Sequence, residues 1–298
     1  MHRLRAEFFL LLCTVLWGGT FLAIKLTLVE TPPVFLVALR YSTAALIYFV
    51  VFYRPIFRAS RRDVVRGIVL GIFLLGGIGF QTLGLQYTTI SRSAFITQLI
   101  VVFTPAAQWL FYQRVPRPAT LLGIVLVLIG MYFLTSPEGA ADLNYGDWLT
   151  LLCAISFSLY IVLVEQYSTP ENAATLSFDQ TLFVGAFAWL GAVWMEFDVF
   201  PTGVSFDLFL GILFLAPLGT NLVIYWQTRW QPESTPARAA VIFAMEPVFA
   251  VLFAVAFADE IFNLRGALGA ALILCGLLIS ELGPYIFRRR PSLTHSVP

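Results

Sequence analysis

Ten runs of about twenty predominantly apolar residues follow one another along this 298-residue chain, separated by short connections. Each run is near the length at which a helix crosses the hydrocarbon core of a bilayer. In that medium no water satisfies backbone N–H and C=O groups, so a spanning segment is either a helix or part of a closed barrel. Barrel strands are short and alternate polar with apolar residues, which these runs do not. The chain is therefore expected to be an all-α membrane protein with ten transmembrane helices. They fall at about 7–28, 33–53, 64–86, 92–113, 118–135, 146–165, 173–195, 206–227, 237–258 and 264–287. Composition agrees, since only 12% of residues are charged, about half the share of a soluble domain.

The edges of the runs carry further information. Met1-His2-Arg3-Leu4-Arg5 before an apolar stretch imitates a signal peptide. The stretch extends from Phe8 to Leu28, longer than a cleavable segment, and reads as the first span. Thr31-Pro32, Thr169-Pro170-Glu171 and Thr235-Pro236 each predict a helix start, with a capping hydroxyl before a proline at the first helical position. Gly67-xxx-Gly71 predicts a close helix–helix approach. Arg288-Arg289-Arg290-Pro291 ends the last helix, and residues 288–298 are expected to form a disordered cytoplasmic tail. Cys13, Cys153 and Cys275 all lie inside apolar runs and act as small hydrophobes, while His2 and His295 lie in the tails. No metal site or cofactor is expected.

The net charge of +1 hides a polarised arrangement. With the N-terminus inside, Arg3, Arg5, Arg54, Arg58, Arg61, Arg62, Arg66, Arg114, Arg117, Arg229, Arg238, Arg288, Arg289 and Arg290 share one side, against Arg92 and Arg265 on the other. The acids Glu30, Glu138, Asp142, Asp147, Glu196, Asp198, Asp207, Asp259 and Glu260 gather on the arginine-poor side. Positive charge stays cytoplasmic, so both termini are expected in the cytoplasm.

The two halves resemble each other. Leu11-Leu12-Cys13 reappears as Leu151-Leu152-Cys153; at the same offset Gly71, Gly79 and Gln81 meet Gly211, Gly219 and Asn221. Small insertions then bring Pro105 onto Pro247, and Gly123-xxxxxx-Gly130 onto Gly269-xxxxxx-Gly276. Residues 1–140 and 141–287 are expected to form two five-helix repeats. Five is odd, so the second copy must enter the membrane inverted, the architecture by which transporters expose one central site to either side in turn.

Trp17-Gly18-Gly19-Thr20-Phe21, Gly79-Phe80-Gln81, Tyr87-Thr88-Thr89, Thr104-Pro105, Glu246-Pro247 and Asp259-Glu260 together resemble the drug/metabolite transporter superfamily in its EamA-like branch. The resemblance covers about residues 7–287. It implies ten helices, a central cavity lined mainly by spans 1, 3, 4, 6, 8 and 9, and transport of small organic solutes, often export of amino acids. The chain departs from the family pattern after span 4, where Gln113-Arg114-Val115-Pro116 lacks the usual acidic residue that the second repeat keeps as Glu260.

Glu246 stands at mid-span, where a charge costs about 2.5–3.5 kcal/mol on insertion scales. It either binds a substrate amine or exchanges a proton, or else it is a helix-packing carboxylate. Gln81, Thr97, Gln98 and Asn221 are uncharged hydrogen-bonding groups that suit a pocket or, equally, interhelical bonds. Trp17, Phe21, Tyr160 and Trp226 are candidate aromatic walls, Trp17 first because it stands beside glycines. Pro105 and Pro247 are expected hinges interrupting spans 4 and 9, and Pro217 a static kink in span 8. Arg40 either attracts a substrate carboxylate or snorkels and pairs with another helix. Lys25 and Glu165 read as interfacial anchors or gate charges, and Asp179 with Gln180 as structural.

The expected function is an inner-membrane carrier, exporting small metabolites such as amino acids by alternating access. Its substrate site comprises Trp17, Gln81, Thr97, Gln98, Tyr160, Asn221 and Glu246. Partners are a small-molecule solute and the lipid bilayer, and Glu246 admits either proton coupling or facilitated diffusion; nucleic acid is not expected, and a monomer or homodimer is. The alternative is an intramembrane lipid- or prenyl-modifying enzyme. That chemistry needs clustered acids, histidines or metal ligands near one face, and the spans hold none at such spacing.

Overall fold

The computed structural model describes residues 2–88, 90–135, 143–200, 203, 205–257 and 264–286, and among these it is helical without strands. In chain order the helices are α1 (His2–Thr27), α2 (Pro33–Phe57), α3 (Arg61–Tyr87), α4 (Ile90–Thr97), α5 (Ile100–Tyr112), α6 (Pro118–Thr135), α7 (Tyr145–Tyr167) and α8 (Ala173–Met195). They continue with α9 (Phe206–Leu215), α10 (Val223–Trp230), α11 (Pro236–Phe243), α12 (Glu246–Phe257) and α13 (Leu264–Ile286). A π-helical turn, Pro217–Leu222, joins α9 to α10.

With α4–α5, α9–α10 and α11–α12 each taken as one rod, eight segments among the described residues are long and apolar enough to cross a membrane. The two others, Pro118–Phe133 and Leu264–Ser280, are shorter apolar helices. Leu46, Val50, Leu110, Leu190 and Leu213 are exposed on the outside of the bundle, an apolar surface that suits lipid rather than water. Several span hydroxyls return to their own helices. Thr14, Thr20, Thr27, Thr150 and Ser158 donate to carbonyls three or four residues earlier, so they carry no unpaired donor into the apolar interior.

Small residues set the packing. Gly67 and Gly71 of α3 lie against Asp179 and Phe183 of α8, the close approach that their spacing predicts. A Cβ on Gly123 would sit 2.6 Å from the Gly276 carbonyl oxygen, and one on Gly130 would sit 2.7 Å from that of Gly269. Position 123 meets 276 and position 130 meets 269, so α6 and its repeat counterpart α13 run in opposite directions. The same holds for α2 and α8, where Gly185 meets Ser42 and Gly191 meets Val34.

Several expected boundaries differ. The helix predicted at Thr31-Pro32 starts one residue later, at Pro33, without a side-chain cap. Glu196, at the end of α8, supplies the acceptors instead, taking Val34 N–H at 3.0 Å and Phe35 N–H at 2.7 Å. A carboxylate at a helix N-terminus satisfies orphan donors and favours the dipole, so a local hydroxyl is not needed. Thr169 hydrogen-bonds with Asn172 in a turn, and α8 begins at Ala173 rather than Pro170. Pro236 does open α11, but the Thr235 hydroxyl makes no capping bond.

The expected hinge at Pro105 is also displaced. Pro105 lies inside α5, and the rod breaks six residues earlier, where Leu99 N–H bonds Ile96 O and Val101 N–H bonds Gln98 O. Pro247 stands in the first turn of α12, where its missing N–H leaves no intrahelical bond unmade. The second rod breaks just before it, at Ala244 and Met245. Leu99 (φ −59°, ψ −6°) and Ala244 (φ −62°, ψ −8°) have almost the same backbone geometry. Asp259, Glu260, Thr89 and the 288–298 tail lie outside the described residues.

Candidate functional site

The two broken rods meet at the centre of the bundle. Gln98, at the first break, donates through Nε2 to Glu246 Oε2 at 2.8 Å, and Glu246 is the residue that restarts the helix after the second break. Glu246 then faces a cavity of about 50 Å³. The wall comprises Trp17 and Thr20 from α1, Leu74, Ile78 and Gln81 from α3, and Thr97 and Ile100 from α4 and α5. Phe157, Tyr160 and Ile161 come from α7, Gly219 from the π turn, Ile224 and Gln227 from α10, and Phe243 and Glu246 from α11 and α12. Spans 1, 3, 4, 6, 8 and 9 thus all contribute, as the resemblance implies. Span 2 joins them through Arg40 and Tyr41.

Of the seven expected site residues, Trp17, Gln81, Thr97, Tyr160 and Glu246 share this wall. Gln81 donates to the Thr97 hydroxyl at 3.3 Å, and Thr97 lies 3.9 Å from the Cys153 sulfur. Trp17 stands edge-on to Phe243 at a centroid distance of 5.3 Å. Gln98 is fully buried behind Glu246, with its own Oε1 unpartnered. Asn221 is not in the wall. Its side-chain amide donates to Ala44 O at 2.8 Å, and its backbone carbonyl accepts from the Tyr48 hydroxyl, so it ties the π turn to α2. Phe21 lies in the core, and Trp226 packs at a tilt against Phe9.

Arg40, which the sequence left between a substrate contact and a packing role, stands in the cavity wall. Its guanidinium is held by Thr220 and Gly219 of the π turn rather than by an acid. An arginine well inside an apolar run was the available signal.

The two ends of the bundle carry different polar groupings. On one face Lys25 donates to Leu85 O at 2.7 Å and to Thr88 O at 3.2 Å, covering the last carbonyls of α3. Thr88 donates to Asp147 Oδ1 at 2.7 Å, and Arg92 pairs with Asp147 Oδ2. Asp147 also completes a reciprocal cap with Asn144 at the start of α7. This cluster joins α1, α3, α4 and α7. On the opposite face an open cleft of about 500 Å³ is bordered by Arg114, Arg117, Glu165, Glu233 and Arg238. Glu165 meets Arg114 there at 3.4 Å in a largely exposed pair.

A buried carboxylate, a buried guanidinium, two amides, a hydroxyl and several rings can bind a small polar or amphipathic solute. The model of the EamA-like transporter family matches residues 4–136 and again 144–282. An uncharacterized transporter of Archaeoglobus fulgidus is 33% identical over 282 residues, covering 95% of this chain and 87% of its own. A probable amino-acid metabolite efflux pump of Escherichia coli K12 is 27% identical over 297 residues, covering 92% and 93%. A solved crystal structure shares the fold with a TM-score of 0.81 at 18% identity, over 96% of this chain and all of that one. Matched twice along its length, the chain belongs to the EamA-like transporter family.

Proposed function

We propose that this transporter exports small organic metabolites such as amino acids across the inner membrane by alternating access. Ten spans form two inverted five-helix repeats, with both termini in the cytoplasm. The carrying observation is the cavity where both repeats bring Glu246, Gln81, Thr97, Tyr160 and Trp17 to one wall. At about 50 Å³ it is too small for an amino acid. A solute therefore enters only when the halves separate, which is what a carrier between two open states requires.

The arginine-rich cleft faces the cytoplasm in this reading, and the Lys25–Thr88–Arg92–Asp147 cluster seals the outer side. Rocking occurs at the two breaks, Gln98–Leu99 and Ala244–Met245, with Pro105 and Pro247 weakening the rods beside them. The pump named for amino-acid metabolites supports the substrate class by likeness. The test compares solutes inside and outside cells with and without the protein, followed by uptake of each responding solute into proteoliposomes with and without a pH gradient. Solutes moving outward in a protein-dependent way are expected; an unchanged distribution of every solute overturns the proposal.

A further inference from the structure

Arg40 is 2% exposed and stands in the cavity wall, yet every group that holds it is neutral. Nε donates to the Thr220 hydroxyl at 2.7 Å, Nη2 donates to the Gly219 carbonyl at 2.8 Å, and the guanidinium lies 5.3 Å over the Tyr41 ring. Nη1 has no hydrogen-bond partner among the described residues, and no ion pair reaches Arg40 there. Guanidinium groups keep their proton in proteins, so this charge is permanent. A buried cation without a counter-ion is costly, and one retained in a membrane interior marks a functional position.

The surrounding backbone is shaped to hold the group. In the π turn Asn221 N–H reaches back five residues to Ala216 O, and the Thr220 hydroxyl donates to Leu215 O while accepting from Arg40. The looser turn leaves the Gly219 carbonyl for Nη2; such turns recur at functional sites. A Cβ on Gly219 would lie 2.7 Å from the Thr20 methyl, so only glycine lets α1, the π turn and Arg40 meet. Two of the guanidinium's donors, Nε and one on Nη2, are fixed in this way. The remaining donors match the planar fork of a carboxylate.

We propose that Arg40 anchors the carboxylate of the transported solute, making a free carboxylate the feature the carrier requires. This deepens the transport reading and rests on it. The Glu246 carboxyl, on the same wall, then faces the part of the solute that carries an amine or other donor, while Trp17, Phe157 and Tyr160 surround its apolar body. The substrate class is a small zwitterion of amino-acid type rather than an amine or a neutral solute.

The experiment compares cells producing wild-type protein, Arg40→Lys, Arg40→Gln or none, with untargeted mass spectrometry of medium and extract. Every solute released by the wild type is expected to bear a free carboxylate. Its release should fall about tenfold or more in Arg40→Gln, the loss of a charge-assisted hydrogen bond. In Arg40→Lys, which keeps the charge but not the fork, the fall should be smaller. Release of a solute lacking a carboxylate, or wild-type release by Arg40→Gln, overturns the assignment while leaving transport intact. Should Arg40→Gln fail to accumulate, wild-type proteoliposomes decide. The amide of each exported acid must fail to compete with it, and competition equal to the free acid overturns the anchor. Release of nothing by the wild type sinks the transport reading itself.

Discussion

Glu246 keeps one hydrogen-bond donor for company, the Gln98 amide at 2.8 Å, in a setting where neither side chain meets bulk water. A hydrogen bond to a charged group contributes about 1.5–3 kcal/mol. A double-mutant cycle of Gln98→Ala and Glu246→Ala, read by thermal unfolding in detergent, should give a coupling energy of about 1–3 kcal/mol. A value near zero would mean that the two breaks are not joined here. For transport, Glu246→Gln keeps the shape and loses the ionisable group. Flux in proteoliposomes should drop about tenfold and stop responding to an imposed pH gradient, whereas an unaltered pH profile would remove Glu246 from the mechanism. Glu246 was legible in the sequence because a carboxylate inside an apolar run is expensive and rare. Asn221 drew attention for a similar reason, but its amide found Ala44 O, a carbonyl on another span that no spacing along the chain reveals. The setting of Arg40 was equally hidden, since its acceptors lie 179 and 180 positions away and depend on a π turn.

Among the helices, α6 and α13 are joined through backbone contacts that leave no room for side chains. Gly123→Ala or Gly276→Ala would place a methyl 2.6 or 2.7 Å from the facing carbonyl oxygen. Either should destabilise by about 1–3 kcal/mol through overpacking. Gly79→Ala is the control, because nothing lies within 4 Å of its Cβ position and glycine in a helix already costs about 0.5–1 kcal/mol relative to alanine. It should be neutral or mildly stabilising in the same unfolding measurement, and equal losses at all three positions would refute the contact. The positions of the spans were readable because bilayer thickness fixes how long an apolar run must be. The break in the second rod falls just before Pro247, where a proline marks it. Where the first rod breaks was not readable: no glycine or proline marks Gln98–Leu99, and Pro105 sits six residues downstream in α5. Helix starts misled for a related reason: Glu196 caps α2 from the far end of another helix, so the hydroxyl expected to do it has no role there.

Across the whole molecule, the cavity lies between one face held by a buried ion pair and another that opens into a cleft. Arg92 and Asp147 are 15% and 1% exposed, against 62% and 26% for Arg114 and Glu165 on the opposite face. Exposed pairs contribute about 0–1 kcal/mol, so Arg114 does little to hold the cleft in one state. The Asp147 carboxylate also accepts from Thr88 and from the Asn144 backbone, and Lys25 ties α1 to the same carbonyl-rich end of α3. Breaking this cluster should bias the carrier toward the state open on that face. Thr97→Cys, in a background without Cys13, Cys153 and Cys275, reports access to the cavity through reaction with a membrane-impermeant thiol reagent. Asp147→Asn should raise labelling from the Asp147 face by about tenfold, the equivalent of one lost charge-assisted bond, while Arg114→Gln should leave it within about twofold. Labelling from the two faces should also move in opposite directions in Asp147→Asn, because a carrier that alternates cannot open one side without closing the other. A parallel rise from both faces would instead mean that the variant has loosened the bundle, and the cluster would then be a structural clasp rather than a gate.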